Sequence, residues 1–201
     1  MLPLPNQPIP YNLFLKDRRF EEFTNDIYKQ DINAGEFGNQ FDDITLLNGT
    51  HEQGRDCVLH KNGHNVGVVQ CKLLSISLTK PTSVKEIIKF CLYSILHPEF
   101  IHDRSTFEYH FVCPNGFNNT TILFLKDFKN QVLKEVKLDE WIKDVIKKNS
   151  SLQLINLDNS KEQLYDILSS ITVKPIIGND LDLKFSKAHN QNLHNKYFKI
   201  S

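Results

Sequence analysis

Apolar positions along the chain recur at two spacings, and the switches between them delimit the elements. Over 15–30 (LKDRRFEEFTNDIYKQ), Phe20, Phe23, Ile27 and Tyr28 return at helical spacing with charges opposite, which predicts an amphipathic first helix. ITLLN (44–48) reads as a strand and the polar, glycine-containing GTHEQG after it as a loop. DCVLH (56–60) and VGVVQCK (66–72) flank KNGHN, an Asn-Gly hairpin pattern, so three short strands come in succession. Ser83 and Glu86 fit a capping box ahead of Ile87, Ile88, Cys91, Leu92 and Ile95, predicting a helix that stops at Pro98. TFEYHFVCP (106–114) alternates Phe107, Tyr109, Phe111 and Cys113 and is the clearest strand. Another helix is predicted over 120–134, giving the order helix, three strands, helix, strand, helix.

Beyond Lys134 the pattern weakens. LDEWIKDVIKK reads as a short amphipathic helix with Trp141 and Ile142 inward, and SLQLINL as a candidate strand. SKEQLYDILSSI carries a second capping box, Ser160 to Gln163, with Leu164, Ile167, Leu168 and Ile171 on one face. The last thirty residues keep no sustained period and read as a connector or truncated edge. At the other end, four prolines among the first ten residues predict an irregular arm that packs as a strap. The expected organisation is an arm over 1–13, a core over 14–135, and C-terminal helices and connector packed on it over 136–201.

Composition narrows the class. A chain of 201 residues suits one domain with appendages, and 40% hydrophobic residues with 14 Phe and 6 Tyr supply a core. Lys+Arg 24 against Asp+Glu 24 gives zero net charge, which excludes a stand-alone nucleic-acid binder acting by counterion release alone. Nucleic-acid contact then requires a local patch or a bound metal. No apolar run approaches the roughly 18 to 20 residues that span a bilayer, and MLPLPNQPIP has no positive n-region, so a cytoplasmic protein without membrane contact is expected. Cys57, Cys71, Cys91 and Cys113 form no CxxC and read as buried thiols.

The segment most suggestive of chemistry runs from Gly54 to Lys72. Asp56 opens one strand, and the next carries Gln70 and Lys72 two residues apart, hence on one face. Two oxygen ligands and a cation can thus converge, as phosphodiester hydrolysis with magnesium requires. Asp56 and Gln70 share a face only when directly opposite, which a two-residue Asn62-Gly63 turn forbids. A three- or five-residue loop, or a compensating bulge, is therefore expected. Each residue also has an ordinary reading: Asp56 as a turn cap, Gln70 as a strand polar residue, Lys72 as a solvated strand end, and Glu21 as a carboxylate favoured by the helix dipole. His51, Glu52, His60 and His64 make a zinc or HNH-like reading conceivable, but no Cys/His spacing completes it. The Phe107, Tyr109, Phe111 stripe suits base stacking or, more simply, burial in a covered sheet.

Phe20-Glu21-Glu22-Phe23, Gly54-Arg55-Asp56 and Val69-Gln70-Cys71-Lys72, in this element order, resemble the PD-(D/E)XK, or restriction-endonuclease-like, nuclease superfamily. Within it the chain is similar to the QxK branch of Mrr-type endonucleases and to the double-stranded DNA endonuclease effector domains of bacterial antiphage proteins. The resemblance covers roughly 14–135. It implies an α/β, three-layer fold with a central mixed sheet flanked by helices, and a nuclease core. Asp56, Gln70 and Glu21 would be metal ligands and Lys72 the catalytic lysine, with Mg2+ as cofactor and Mn2+ as a substitute. It also implies direct attack of water on the phosphate, double-stranded DNA as partner, homo-oligomerisation on activation, and further domains in a longer parent chain. The chain departs from the wider pattern twice: Gln70 stands where most members have Asp or Glu, and Arg55 stands where the motif's proline would be. A catalytically inactive nuclease-like module binding nucleic acid or protein is the alternative.

Overall fold

The computed structural model describes residues 8–49 and 53–198. Among these, five strands form one mixed sheet in the order β1 (Asp43–Leu46), β2 (Cys57–Lys61), β3 (His64–Cys71), β4 (Glu108–Val112) and β5 (Thr172–Ile176). The β1–β2 and β2–β3 pairs are antiparallel, and the β3–β4 and β4–β5 pairs are parallel. The helices are α1 (Tyr11–Phe14), α2 (Asp17–Asn33), α3 (Lys80–Leu96), α4 (Asn119–Lys126), α5 (Phe128–Gln131), α6 (Leu138–Lys148), α7 (Leu157–Ser170), α8 (Gly178–Phe185) and α9 (Gln191–Tyr197).

Strand alternation divides the apolar residues between two cores. Val68, Tyr109, Phe111 and Val173 pack against Ile87, Phe90 and Cys91 of α3, Trp141 and Ile142 of α6, and Leu164 and Leu168 of α7. Ile44, Leu59, Val69 and Val112 pack against Phe20, Phe23 and Ile27 of α2, with Leu181 of α8 and Leu193 of α9. The sheet is thus covered on both faces, which is why the second half of β3 and nearly all of β4 are buried. The Phe107–Tyr109–Phe111 stripe is core, fully buried, and all four cysteines are buried thiols.

Several boundaries differ from the sequence pattern. The α3 helix starts at Lys80 behind Thr79, so Ser83 lies inside it and donates to the Thr79 carbonyl. This frees Glu86 from any capping role. The predicted 120–134 helix breaks at Asp127 into α4 and α5. SLQLINL is not a strand: 150–154 forms a 3-10 turn, and Asn156 caps α7 by accepting from the Asp158 and Asn159 amides. The aperiodic C-terminal segment supplies β5, α8 and α9, so residues 136–201 complete the sheet as well as packing on it. Tyr11 of the N-terminal strap donates to Asp182 Oδ1 of α8 at 2.6 Å and packs on Phe198. Residues 1–7 of the expected arm lie outside the described residues. No described helix is long and apolar enough to cross a membrane.

Candidate functional site

The β2–β3 hairpin sets the site. Asn62 and Gly63 adopt φ of 51° and 78°, the left-handed pair that a tight two-residue turn needs, and Lys61 faces His64. Continued without interruption, that register would send Asp56 and Gln70 to opposite faces. The register shifts between Leu59 and His60: Leu59 faces Gly67 while His60 faces Asn65, leaving Val66 as the extra residue. Cys57 then faces Val69, the Asp56 amide just before it donates to the Val69 carbonyl at 2.9 Å, and the Asp56 side chain meets that of Gln70. The compensating bulge required by the sequence is present.

Asp56 and Gln70 are both buried, at 3% and 5% exposure. Gln70 Nε2 donates to Asp56 Oδ2 at 2.7 Å and approaches the Cys71 carbonyl oxygen at 3.3 Å. The Cys71 amide donates to the same Asp56 oxygen at 2.5 Å. Just before Asp56, Gly54 has φ of 85°, and a Cβ there would lie 3.0 Å from the Phe90 backbone nitrogen. Only glycine lets the chain turn this close to α3. The buried Tyr109 hydroxyl fixes the turn by donating to the Gly54 carbonyl at 3.2 Å. Arg55 lays its guanidinium 3.3 Å over the Phe100 ring, and burial lowers its pKa to about 10 against the opposing pull of Glu99. An arginine thus anchors this strand entrance by stacking on the Pro98–Phe100 turn.

Gly54, Asp56, Gln70 and Cys71 line a cleft of about 290 Å³ at the carboxyl end of β3, between α2 and α3. Glu21, Asp56, Gln70 and Lys72, the four candidates from the sequence, all border it. Glu21 reaches it from α2 and accepts from Arg18 Nη1 at 3.0 Å. Arg18 also donates to the Leu47 carbonyl at 2.7 Å, pinning α2 to the end of β1. Lys72 holds its ammonium 3.4 Å from Glu86 Oε1.

Sequence reasoning missed three charged lining residues: Asp17, Glu86 and Lys89. Glu86 is the informative one, because its Oε2 is buried without a hydrogen-bond partner among the described residues. The i, i+3 spacing of Ser83 and Glu86 had a capping explanation. Had α3 been started at Thr79, Glu86 would have fallen inside the helix and become available to the cleft.

Four carboxylates (Asp17, Glu21, Asp56, Glu86) face two lysines (Lys72, Lys89) around the cleft, and with Arg18 included acids still outnumber bases. Burial, with the Asp56 carboxylate adding to it, pushes the Cys71 thiol well above its ordinary range, so it is not poised as a nucleophile. Among the described residues, no three His, Cys, Asp or Glu side chains gather as a ready-made metal cluster. Any metal here would use a mixed set that includes an amide and peptide oxygens. Of the described histidines, His60 Nε2 lies 3.0 Å from the Thr45 hydroxyl, and the His64 ring stacks on His102 at 3.8 Å. His51 and Glu52 lie outside the described residues. Comparison with family models, curated proteins and solved structures gives no match to this chain.

Proposed function

We propose that the cleft is the active site of a magnesium-dependent endodeoxyribonuclease of restriction-endonuclease-like architecture, acting on double-stranded DNA. The observation that carries this reading is the convergence of Glu21, Asp56, Gln70 and Lys72 on one cleft from α2, β2 and β3. A bulge in the hairpin is required to achieve it.

The donor set fits a hard divalent cation. Gln70 Nε2 donates to Asp56 Oδ2 at 2.7 Å and lies 3.3 Å from the Cys71 carbonyl oxygen, so a carboxylate, a side-chain amide and a peptide carbonyl adjoin at the cleft. Turning that amide about its last torsion offers an oxygen in place of the N–H. Asp56, the Gln70 side-chain oxygen and the Cys71 carbonyl would hold the ion, with Glu21 on the α2 side and the surplus of carboxylates supplying charge. When bound, Mg2+, or Mn2+ in its place, supplies Lewis acidity toward the scissile phosphate.

Lys72 brings a positive charge to the cleft, where it steadies the attacking water or the charge developing on phosphate. Glu86 is its positioning residue, holding the ammonium from α3. Among the described residues, no Ser/His or Cys/His pair lines the cleft, which supports direct attack by water without a covalent intermediate. The wider reading is an effector domain of a cytoplasmic antiphage protein, within a longer chain whose copies assemble on activation. Zero net charge supports a domain that grips DNA weakly as a monomer.

One observation favours a second reading, a nuclease-like module that binds without cutting: Gln70 is neutral and its amide occupies Asp56. Supercoiled plasmid incubated with the protein decides between them. Nicked and linear products with Mg2+, lost with EDTA and lost in Asp56→Asn, support the nuclease. Intact plasmid in every condition would reject it.

A further inference from the structure

We propose that the groove between α3 and α6 carries the phosphate backbone of the nucleic acid away from the cleft, as a contact surface that takes no part in chemistry. This rests on the nuclease reading of the cleft. The groove, about 360 Å³, adjoins the cleft, and Glu86 and Lys89 line both. Lys85 and Lys89 border it from α3, and Lys148 borders it from α6.

Its lining sets three lysines against Glu86, a local surplus in a chain with no net charge. Lys85 Nζ lies 2.7 Å from Asp144 Oδ2. That carboxyl is held below the usual carboxylate range by Lys85 first, with Lys148 and Lys147 adding to it. Three lysines thus surround one exposed acid. Lys89 and Lys148 have no ion-pair partner among the described residues. The helix dipole accounts for Lys147 and Lys148, in the last turn of α6. It does not account for Lys85 and Lys89, which stand one turn apart in the middle of α3. A polyanion laid along the groove neutralises Lys85, Lys89 and Lys148, and its continuity with the cleft makes that polyanion the substrate strand.

The test is fluorescence anisotropy of a labelled DNA duplex with the whole chain in EDTA, so that neither cleavage nor metal contributes. The variants are the double substitution Lys89→Gln with Lys148→Gln, and Lys161→Gln on α7 as a control. The groove predicts at least about tenfold weaker binding by the double variant, with a log K against log[salt] slope shallower by about 2. The control keeps the affinity and slope of the parent. A parent that cleaves plasmid while the double variant binds as the parent does would overturn the groove and leave the nuclease standing. A parent that cuts nothing, with binding still weakened in the double variant, would retain the groove and remove the chemistry. A parent that binds a poly-glutamate peptide through these lysines but no duplex would assign the surface to an acidic protein partner and overturn the proposal.

Discussion

Among the described residues two acids are buried, Asp31 and Asp56, and their surroundings are built to opposite ends. Near the end of α2, Asp31 is fully buried and receives Lys184 Nζ at 2.5 Å, His189 Nε2 at 2.7 Å and Asn190 Nδ2 at 3.0 Å. Donors outnumber the acid, and the cluster ties α2 to α8 and the segment after it. At the carboxyl end of β3 the ratio is reversed: among the described residues carboxylates outnumber cations around an open cleft, and one Glu86 oxygen is buried without a hydrogen-bond partner. A carboxylate surrounded by its own cations stabilises a fold. A cluster with excess acid is costly to maintain and invites a cation from outside.

Exchanging the two acids for amides is the sharpest way to break this contrast. Asp56→Asn should lower plasmid cleavage by about a hundred- to a thousand-fold or more, with Lys72→Ala in the same range, while Asp31→Asn leaves cleavage intact wherever the protein is folded. Asparagine is the better probe at position 56, since Asp56 is buried and accepts the Cys71 amide. Alanine there would strand that donor and cost about 1–3 kcal/mol, more than a strand-end residue suggests from sequence.

Stability should show the reverse ranking. Asp31→Ala leaves Lys184 without its carboxylate and should cost about 3 kcal/mol in urea unfolding, whereas Lys72→Ala, partly exposed, should cost about 1 kcal/mol or less. Equal losses would mean that the cleft is a structural cluster too.

A magnesium titration of cleavage probes the ligand set with a smaller effect. Gln70→Glu should hold or lower the midpoint by adding charge beside the ion, and Gln70→Ala should raise it by about tenfold. Identical midpoints for the three proteins would remove residue 70 from the metal shell.

The smallest effect is on acid stability. Burial works to raise the Asp31 carboxyl, but His189, Lys184 and Asn190 outweigh it and leave its pKa below the ordinary value. The unfolded chain therefore binds more protons, and stability rises with pH through this group. The contribution is complete above the unfolded carboxylate value of about 4 and is lost as pH falls through the depressed folded value. Asp31→Asn should flatten the stability curve below about pH 4 by up to about 1.4 kcal/mol per pH unit. An unchanged slope would show that the network does not govern acid unfolding.

The cleft was legible in sequence to an unusual depth because its logic is local. Strand alternation put Gln70 and Lys72 on one face, and the conflict between that face and the Asn-Gly turn demanded the bulge now seen at Val66. The helices α2 and α3 and the strand β4 were legible because their apolar period is sustained. The β5 strand was not: Pro175, opposite Phe111, removes a ladder donor, which only an edge strand tolerates, and its five residues are too few to establish a period. Asp31, too, was invisible as a site, because its three partners lie more than 150 positions away along the chain. Glu86 was misread for a different reason, since a capping box and a residue facing the cleft look alike until the first residue of the helix is known.

The central claim is that the acid-rich cleft, and not the Asp31 cluster, holds a divalent cation. A crystal grown with Mn2+ and measured at the manganese edge tests it most directly. The account predicts an anomalous peak within about 2.2 Å of Asp56, with the Gln70 amide turned to present its oxygen and no peak beside Asp31. A cleft without a peak, with the Gln70 nitrogen still donating to Asp56 in protein that cleaves DNA, would contradict it.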